Sequence, residues 1–298
     1  MNRDALREVV PPEWRPWLAG LLVLALAAAL LEALWLQRRG QHDWRAFAAT
    51  LADLALRRGV DALGVSIAAP LLWWVHAHRL TTIVLDSAGA IVLLFVGQEF
   101  CYYWQHRAAH RMRWFWASHL VHHSPQQLTL ASSLRLGWTG RLAGGALVFA
   151  PLVWLGFSPP TVAAALALNL LYQFWLHATW IPRLGPLEWI LNTPSHHRVH
   201  HASNADYLDR NFGGVLIVFD RLFGSFAAER DDCPPHYGLT EPLRSYNPLR
   251  IALHGWITLA ADLRLARSAS DAARILFGPP TPRPCPQPST PPTSRSPA

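Results

Sequence analysis

Apolar residues in this chain gather into long runs separated by short polar stretches. The first, Trp17 to Leu36, covers 20 residues broken only by Glu32, enough at about 1.5 Å per residue to cross a hydrocarbon core of about 30 Å. It reads as a membrane anchor rather than a signal peptide. Asp4, Glu8 and Glu13 offset Arg3, Arg7 and Arg15, and no small-residue cleavage site follows. A polar, amphipathic stretch runs from Gln37 to Arg58, and a second apolar run, Val60 to Val75, contains Pro70, which is expected to kink it. A third run spans Ile83 to Trp104. Two more, Leu142 to Phe157 and Thr161 to Trp175, flank the helix-breaking pair Pro159 and Pro160 and read as a helical hairpin. Leu249 to Leu265 has the pattern of a helix lying on a membrane surface.

Arginine placement orients these runs. Arg38, Arg39, Arg45, Arg57 and Arg58 lie between the first two, whereas the turn after the second holds only Arg79. Arg107, Arg111, Arg113, Arg135 and Arg141 precede the hairpin, and its tip has none. By the positive-inside rule the N-terminus lies outside and the segments around the hairpin's base face the cytoplasm. The outer Arg3, Arg7 and Arg15 fit this least well.

Composition agrees with a lipid-solvated protein: 51% hydrophobic and 15% charged residues, against about 25% charged in soluble domains. The formal charge is +7 and every basic residue is Arg. These arginines are scattered beside apolar spans rather than lining one face, so they point to anionic lipid and not to nucleic acid. An Ala-, Arg- and Pro-rich chain without Lys points to a bacterial source, hence an inner membrane. Cys101, Cys233 and Cys285 show no CxxC spacing, which gives neither a disulfide framework nor a thiolate metal site.

Histidine carries the candidate chemistry. Ten of 15 histidines fall between residues 106 and 201. They form an HxxxH motif (His106, His110) and two HxxHH motifs (His119, His122, His123 and His197, His200, His201), with His177 and His196 nearby. In a helix, residues four apart share a face, so His106 and His110 can address one point. The HxxHH spacing lets adjacent histidines address two neighbouring ions. Protonating so dense a cluster would force mutual repulsion, which a bound cation relieves by holding the rings neutral. Imidazole suits Zn, Cu, Fe and Ni alike, and so many histidines exceed the needs of one ion, so two are implied. The expected architecture is an all-α integral membrane protein with about four to five transmembrane helices and a cytoplasmic helical cap carrying a histidine-rich di-metal site. Its units are spans and linker at 1–82, the histidine-bearing domain at 83–245, an amphipathic or membrane-associated helix at 246–277 and a disordered Pro-rich tail at 278–298.

The motif order resembles the fatty acid hydroxylase/sterol desaturase superfamily of membrane di-iron enzymes, over roughly Glu99 to Leu243 and most closely its alkylglycerol monooxygenase-like branch. The segments Phe100–Arg107, Asn169–His177, Gly185–His201, Asn211–Gly214 and Asp220–Gly224 carry that likeness. The resemblance implies two iron ions bound by His106, His110, His119, His122, His123, His197, His200 and His201, with His177 as a ninth ligand. It also implies a bilayer lipid (fatty acyl, sterol or ether lipid) as the substrate of O2-dependent hydroxylation or desaturation. Glu99, two helical turns before His106, is a candidate to orient an imidazole or to pair with an Arg inside the membrane; His196 and Asn192 are candidates to support the ligands or cap turns. Tyr102 and Tyr103 read as interfacial anchors. The ether-lipid branch uses tetrahydrobiopterin and carries a Glu where this chain has Arg111, a departure that puts pterin use and ether cleavage in question. No GxGxxG, flavin or iron–sulfur motif is present, so electrons are expected from a separate reductase or ferredoxin-type donor. A zinc-dependent membrane hydrolase and a metal-binding or transport protein are the rival classes; a transporter would place its ligands within the spans.

Overall fold

The computed structural model describes residues 15–64 and 66–280, and among these the regular elements are helical, with pairing limited to isolated bridges such as Leu191 with Leu216. Residues 1–14 of the N-terminal unit and 281–298 of the tail lie outside the described residues. Helix α1 (Arg15–Arg38) follows the first apolar run. Leu24, Leu31 and other large side chains stay exposed along it, whereas Ala29, Glu32, Ala33 and Leu36 are buried against the rest of the protein. Glu32, the one charge in that run, accepts from the Leu130 backbone N–H and from Trp180 Nε1 (3.0 Å). Two donors satisfy this buried acid without an arginine.

Helix α2 (Trp44–Ala62) starts at Asp43, whose carboxylate accepts from the Arg45 and Ala46 amides, the usual N-cap arrangement. The second apolar run is not one continuous helix. Helix α2 ends at Ala62, and α3 (Ala68–Ala77) begins only after the turn at Ser66, whose hydroxyl accepts from the Ala69 amide. Pro70 lies in the first turn of α3, where a missing N–H breaks no helical bond, so it helps to start a helix instead of kinking one. Helix α4 (Ala88–Arg111), capped by Ser87, starts later than the third run and continues through the first histidine motif; α5 (Arg113–His123) carries the second.

The run at Leu142–Phe157 is also broken, into α6 (Gly140–Ala143), a 3₁₀ turn (Gly145–Phe149) and α7 (Ala150–Leu155). Gly144 (φ +76°) and Gly156 (φ +139°) bound these pieces in conformations that L side chains avoid. Helix α8 (Pro159–Phe174) opens with the proline pair, behind the Ser158 cap. The 16 residues of α8 reach only about 24 Å and the 10 of α3 about 15 Å. Among the described residues α1 alone is both long and apolar enough to cross a membrane, over Ala19–Arg38 at mean hydropathy 2.3; the helices behind the other four expected spans are short, broken or, in α4, diluted by Gln98, Glu99 and Gln105.

The chain then forms α9 (Pro194–His200), α10 (Val218–Leu222), α11 (Pro248–Leu263) and α12 (Ala269–Phe277). An apolar core joins α4, α7 and α8 through Leu94, Cys101, Tyr102, Leu152, Val153 and Val162. The helix expected on the membrane surface near Leu249–Leu265 is α11, and it turns Ile251, Ala252, Gly255 and Leu259 inward. Gly255 permits its close approach to Ala117 and Leu120 of α5.

Candidate metal centre

Four elements aim histidines at one buried region. The last two turns of α4 supply His106 and His110, and α5 supplies His119, His122 and His123. The 3₁₀ turn Trp175–His177 that extends α8 supplies His177, and α9 with its C-terminal residue supplies His197, His200 and His201. These nine rings separate into two clusters: His106, His110, His119, His123 and His200 in one; His122, His177, His197 and His201 in the other. In each cluster the candidate ligand atoms lie within 4.8 Å of one another. The pairs four residues apart (106/110, 119/123, 197/201) stay together, as a shared helical face requires. The intervening His122 and His200 cross to the other cluster.

The ring hydrogen bonds show what these clusters can hold. Nδ1 of His106, His122, His177 and His200 lies 2.9–3.1 Å from the carbonyl oxygens of Phe212, Arg135, Gln173 and Arg210. A carbonyl only accepts, so each of these Nδ1 atoms carries the proton and each Nε2 presents a lone pair. Nε2 of His122 and His177 nevertheless face each other at 3.4 Å, two lone pairs that cannot bond each other. Nε2 of His197 lies 3.1 Å from that of His177 and 3.0 Å from that of His201; Nε2 of His106 lies 3.1 Å from that of His119. Nε2 of His110, His123 and His200 is buried without a hydrogen-bond partner. Metal–nitrogen bonds of about 2.0–2.1 Å set adjacent ligand atoms roughly 3.0–3.4 Å apart, so the spacing fits imidazoles around a cation. Burial first, then neighbouring imidazoles, pushes the clustered rings well below the ordinary histidine pKa; burial takes His122 down to about 4. All are therefore neutral at pH 7, the state that binds metal.

A single loop supports much of this arrangement. In residues 209–217, Phe212 O and Arg210 O accept from His106 and His200, while Asp209 Oδ1 lies 3.7 Å from His110 Nδ1. Asp220 ties the loop down by accepting from the amides of Phe212 and Gly213 (both 2.7 Å) and from Ser225 Oγ. Asn211 Nδ2 donates to the carbonyls of His196 and Ala227. Gly213 and Gly214 have no room for a Cβ, which would meet the Leu216 carbonyl and the Asn169 amide.

The candidates for ligand support act at one remove. Glu99 touches neither an imidazole nor an arginine: its carboxylate accepts from Asn169 Nδ2 (2.5 Å) and from the amides of Val215 and Leu216 (2.8 Å each). It thereby holds the loop that offers the Phe212 carbonyl. Asn192 likewise donates to the Gly213 and Gly214 carbonyls, and its own Oδ1 is buried without a partner. His196 joins neither cluster; its Nε2 lies 4.0 Å from Glu188, and its ring packs edge-on to Phe226. Tyr102 and Tyr103 are not interfacial anchors but buried, donating to Gln173 Oε1 and bonding Ser225 Oγ. Sequence reasoning missed Asp209, Asn211 and Asp220. The last two stand in segments already noted for their likeness to a family, but nothing in their spacing tied them to the rings.

Residues 91–225 match the family model for fatty acid hydroxylases. The alkylglycerol monooxygenase of Homo sapiens is 43% identical over 178 residues, covering 59% of this chain and 39% of that protein. That of Danio rerio is 39% identical over 235 residues, covering 78% and 50%. The ornithine lipid hydroxylase OlsE of Rhizobium tropici is 30% identical over 219 residues, covering 70% and 65%. The chain spans about half the length or less of the alkylglycerol monooxygenases it matches. No solved structure matches it.

Proposed function

Because the chain belongs to the fatty acid hydroxylase family, we propose that it is a membrane-bound oxidoreductase that uses O2 and two histidine-held iron ions to hydroxylate or desaturate a lipid chain. The observation that carries this reading is the pair of all-imidazole clusters with inward lone pairs. Nine nitrogen donors exceed what a single four-coordinate zinc takes, and neutral imidazoles suit a redox metal such as iron. When bound, iron supplies the redox chemistry that lets O2 attack an unactivated C–H bond.

The rest falls to the chain's own residues. The carbonyls of Phe212, Arg135, Gln173 and Arg210 fix the tautomer and direction of four rings, so that little rearrangement is needed when the metal state changes. Burial of the rings keeps bulk water from the oxidising centre. An open cleft of about 600 Å³, lined by Leu36 at the end of α1 and by Gln127, Trp180, Arg198, Glu229 and Tyr237, lies beside α9 at Arg198, the residue after His197. It is the proposed way in for a lipid from the bilayer surface. In hydroxylation one atom of O2 enters the lipid and the other leaves as water, which takes two electrons and two protons from outside. A reductase or ferredoxin-type protein is the proposed donor, and the centre is proposed to face the cytoplasm of a bacterial inner membrane.

The test is lipid analysis by mass spectrometry of membranes containing the wild-type chain or His200→Ala, under 18O2 and under nitrogen. The proposal expects a lipid that gains one labelled oxygen or loses two hydrogens, only with O2 and only with the wild type. Lipid cleavage that proceeds under nitrogen would assign a hydrolase instead.

A further inference from the structure

The two clusters differ in what stands behind their rings. Behind the four-histidine cluster, His122 and His177 donate to neutral carbonyls. In the five-histidine cluster, His106 and His200 do the same, but His110 Nδ1 faces the carboxylate of Asp209 at 3.7 Å. That separation is too long for a hydrogen bond and short enough for a strong ionic contact with a ring bound to a cation. The other oxygen, Asp209 Oδ2, accepts from Arg111 Nη1 at 3.0 Å. Arg111 follows His110 directly, so two consecutive residues of α4 present the ring and the cation that holds its carboxylate partner. The backbone is bent to make this possible: Asp209 and Asn211 are the non-glycine residues with positive φ among the described residues, at +58° and +56°. Such conformations cost energy and persist only where surrounding contacts enforce them. Asn211 supplies those contacts through His196 O and both backbone groups of Ala227.

Resting on the reading that both clusters hold metal, we propose that Asp209 is a positioning residue which, steadied by Arg111, orients His110 and gives the five-histidine cluster the tighter hold on its ion. A carboxylate behind a ligand imidazole makes the ring a stronger donor and adds direct attraction to the bound dication. The four-histidine cluster has no such support from His122 or His177, and it has one fewer ring. Its ion is the one that leaves first.

The test uses the full-length protein loaded with 57Fe in detergent and titrated with a chelator, followed by iron content and Mössbauer spectra. The wild type should release its iron in two steps, with one doublet disappearing before the other. Asp209→Asn keeps the side-chain shape and tolerates the left-handed backbone. It should lose the retained ion at about 10–100-fold lower chelator concentration and alter one doublet while leaving the second unchanged. Arg111→Gln, on a side chain 53% exposed, should move the same step in the same direction by less, and it carries the test alone if the Asp209 variant does not fold. Asp231→Asn, on an exposed carboxylate paired with Arg183, should change nothing. Two ions held equally, or an Asp209 variant with wild-type release and spectra, would overturn the inference while leaving the metal centre intact. A wild type that binds no metal would overturn the centre itself.

Discussion

His122 and His123 are consecutive in the chain, yet their rings point into different clusters. Their planes are nearly perpendicular (86°) with centroids 5.5 Å apart. His123 stacks instead on His201 of the opposite cluster (4.4 Å, 23°), so the clusters share a wall of rings. The helix turns about 100° per residue, which is what separates neighbours and reunites residues four apart. His122→Ala and His123→Ala should therefore each remove about one metal ion per chain, and a different one. Metal analysis with spectroscopy checks this; identical residual spectra would show that the two rings serve one ion.

Glu99 offers a second test, because it organises the centre without touching it. Glu99→Ala strands the amides of Val215 and Leu216 and the Asn169 side chain in a buried setting. Each stranded donor costs roughly 1–3 kcal/mol. The expected outcome is a lower melting temperature together with looser metal retention, since the same loop carries Phe212 O to His106. A variant that melts lower but holds metal as the wild type does would separate the loop from the centre.

The contact of α11 with α5 depends on one hydrogen atom. A Cβ on Gly255 would lie 2.5 Å from Ala117 O and 2.6 Å from Ala117 Cα, and backbone cannot move aside as a side chain can. Gly255→Ala should destabilise the protein by about 1–3 kcal/mol, despite the better helix propensity of Ala. Chemical denaturation in detergent measures it, and an unchanged or raised midpoint would contradict the packing.

The neutral rings make the protein acid-sensitive. Unfolded histidines protonate near their ordinary value of 6.5, whereas folded His122 does so only near 4 and the other clustered rings well below the ordinary value. Between those limits the unfolded chain binds more protons, so stability falls as pH falls. For one such ring the loss is about 1.4 kcal/mol for every pH unit that separates its folded and unfolded midpoints. The melting temperature of metal-free protein should be level above about pH 7 and drop steeply below 6.5. A flat profile from 7 to 4 would show that the rings are not buried neutral.

Much of the centre was legible in the sequence because helical periodicity is local. HxxxH and HxxHH specify which rings share a face, and those rings do meet. His177, singled out by likeness to a family, comes to the four-histidine cluster. The supporting loop was not legible, since Asp209 reaches His110 across a long stretch of chain and no period links them. Glu99 was noticed for its place two turns before His106, but its carboxylate points to α8 and the loop. The breaks within the apolar runs were not legible for a different reason. Apolar runs report solvation and not continuity: the turn between α2 and α3 and the left-handed Gly144 divide runs that hydropathy alone joins.

The most direct test of the account is metal content by elemental analysis, with Mössbauer spectroscopy, on protein purified in detergent from iron-supplemented cells. The account predicts about two irons per chain, magnetically coupled and reactive with O2 once reduced. Zinc that iron cannot replace, with no consumption of O2, would contradict it.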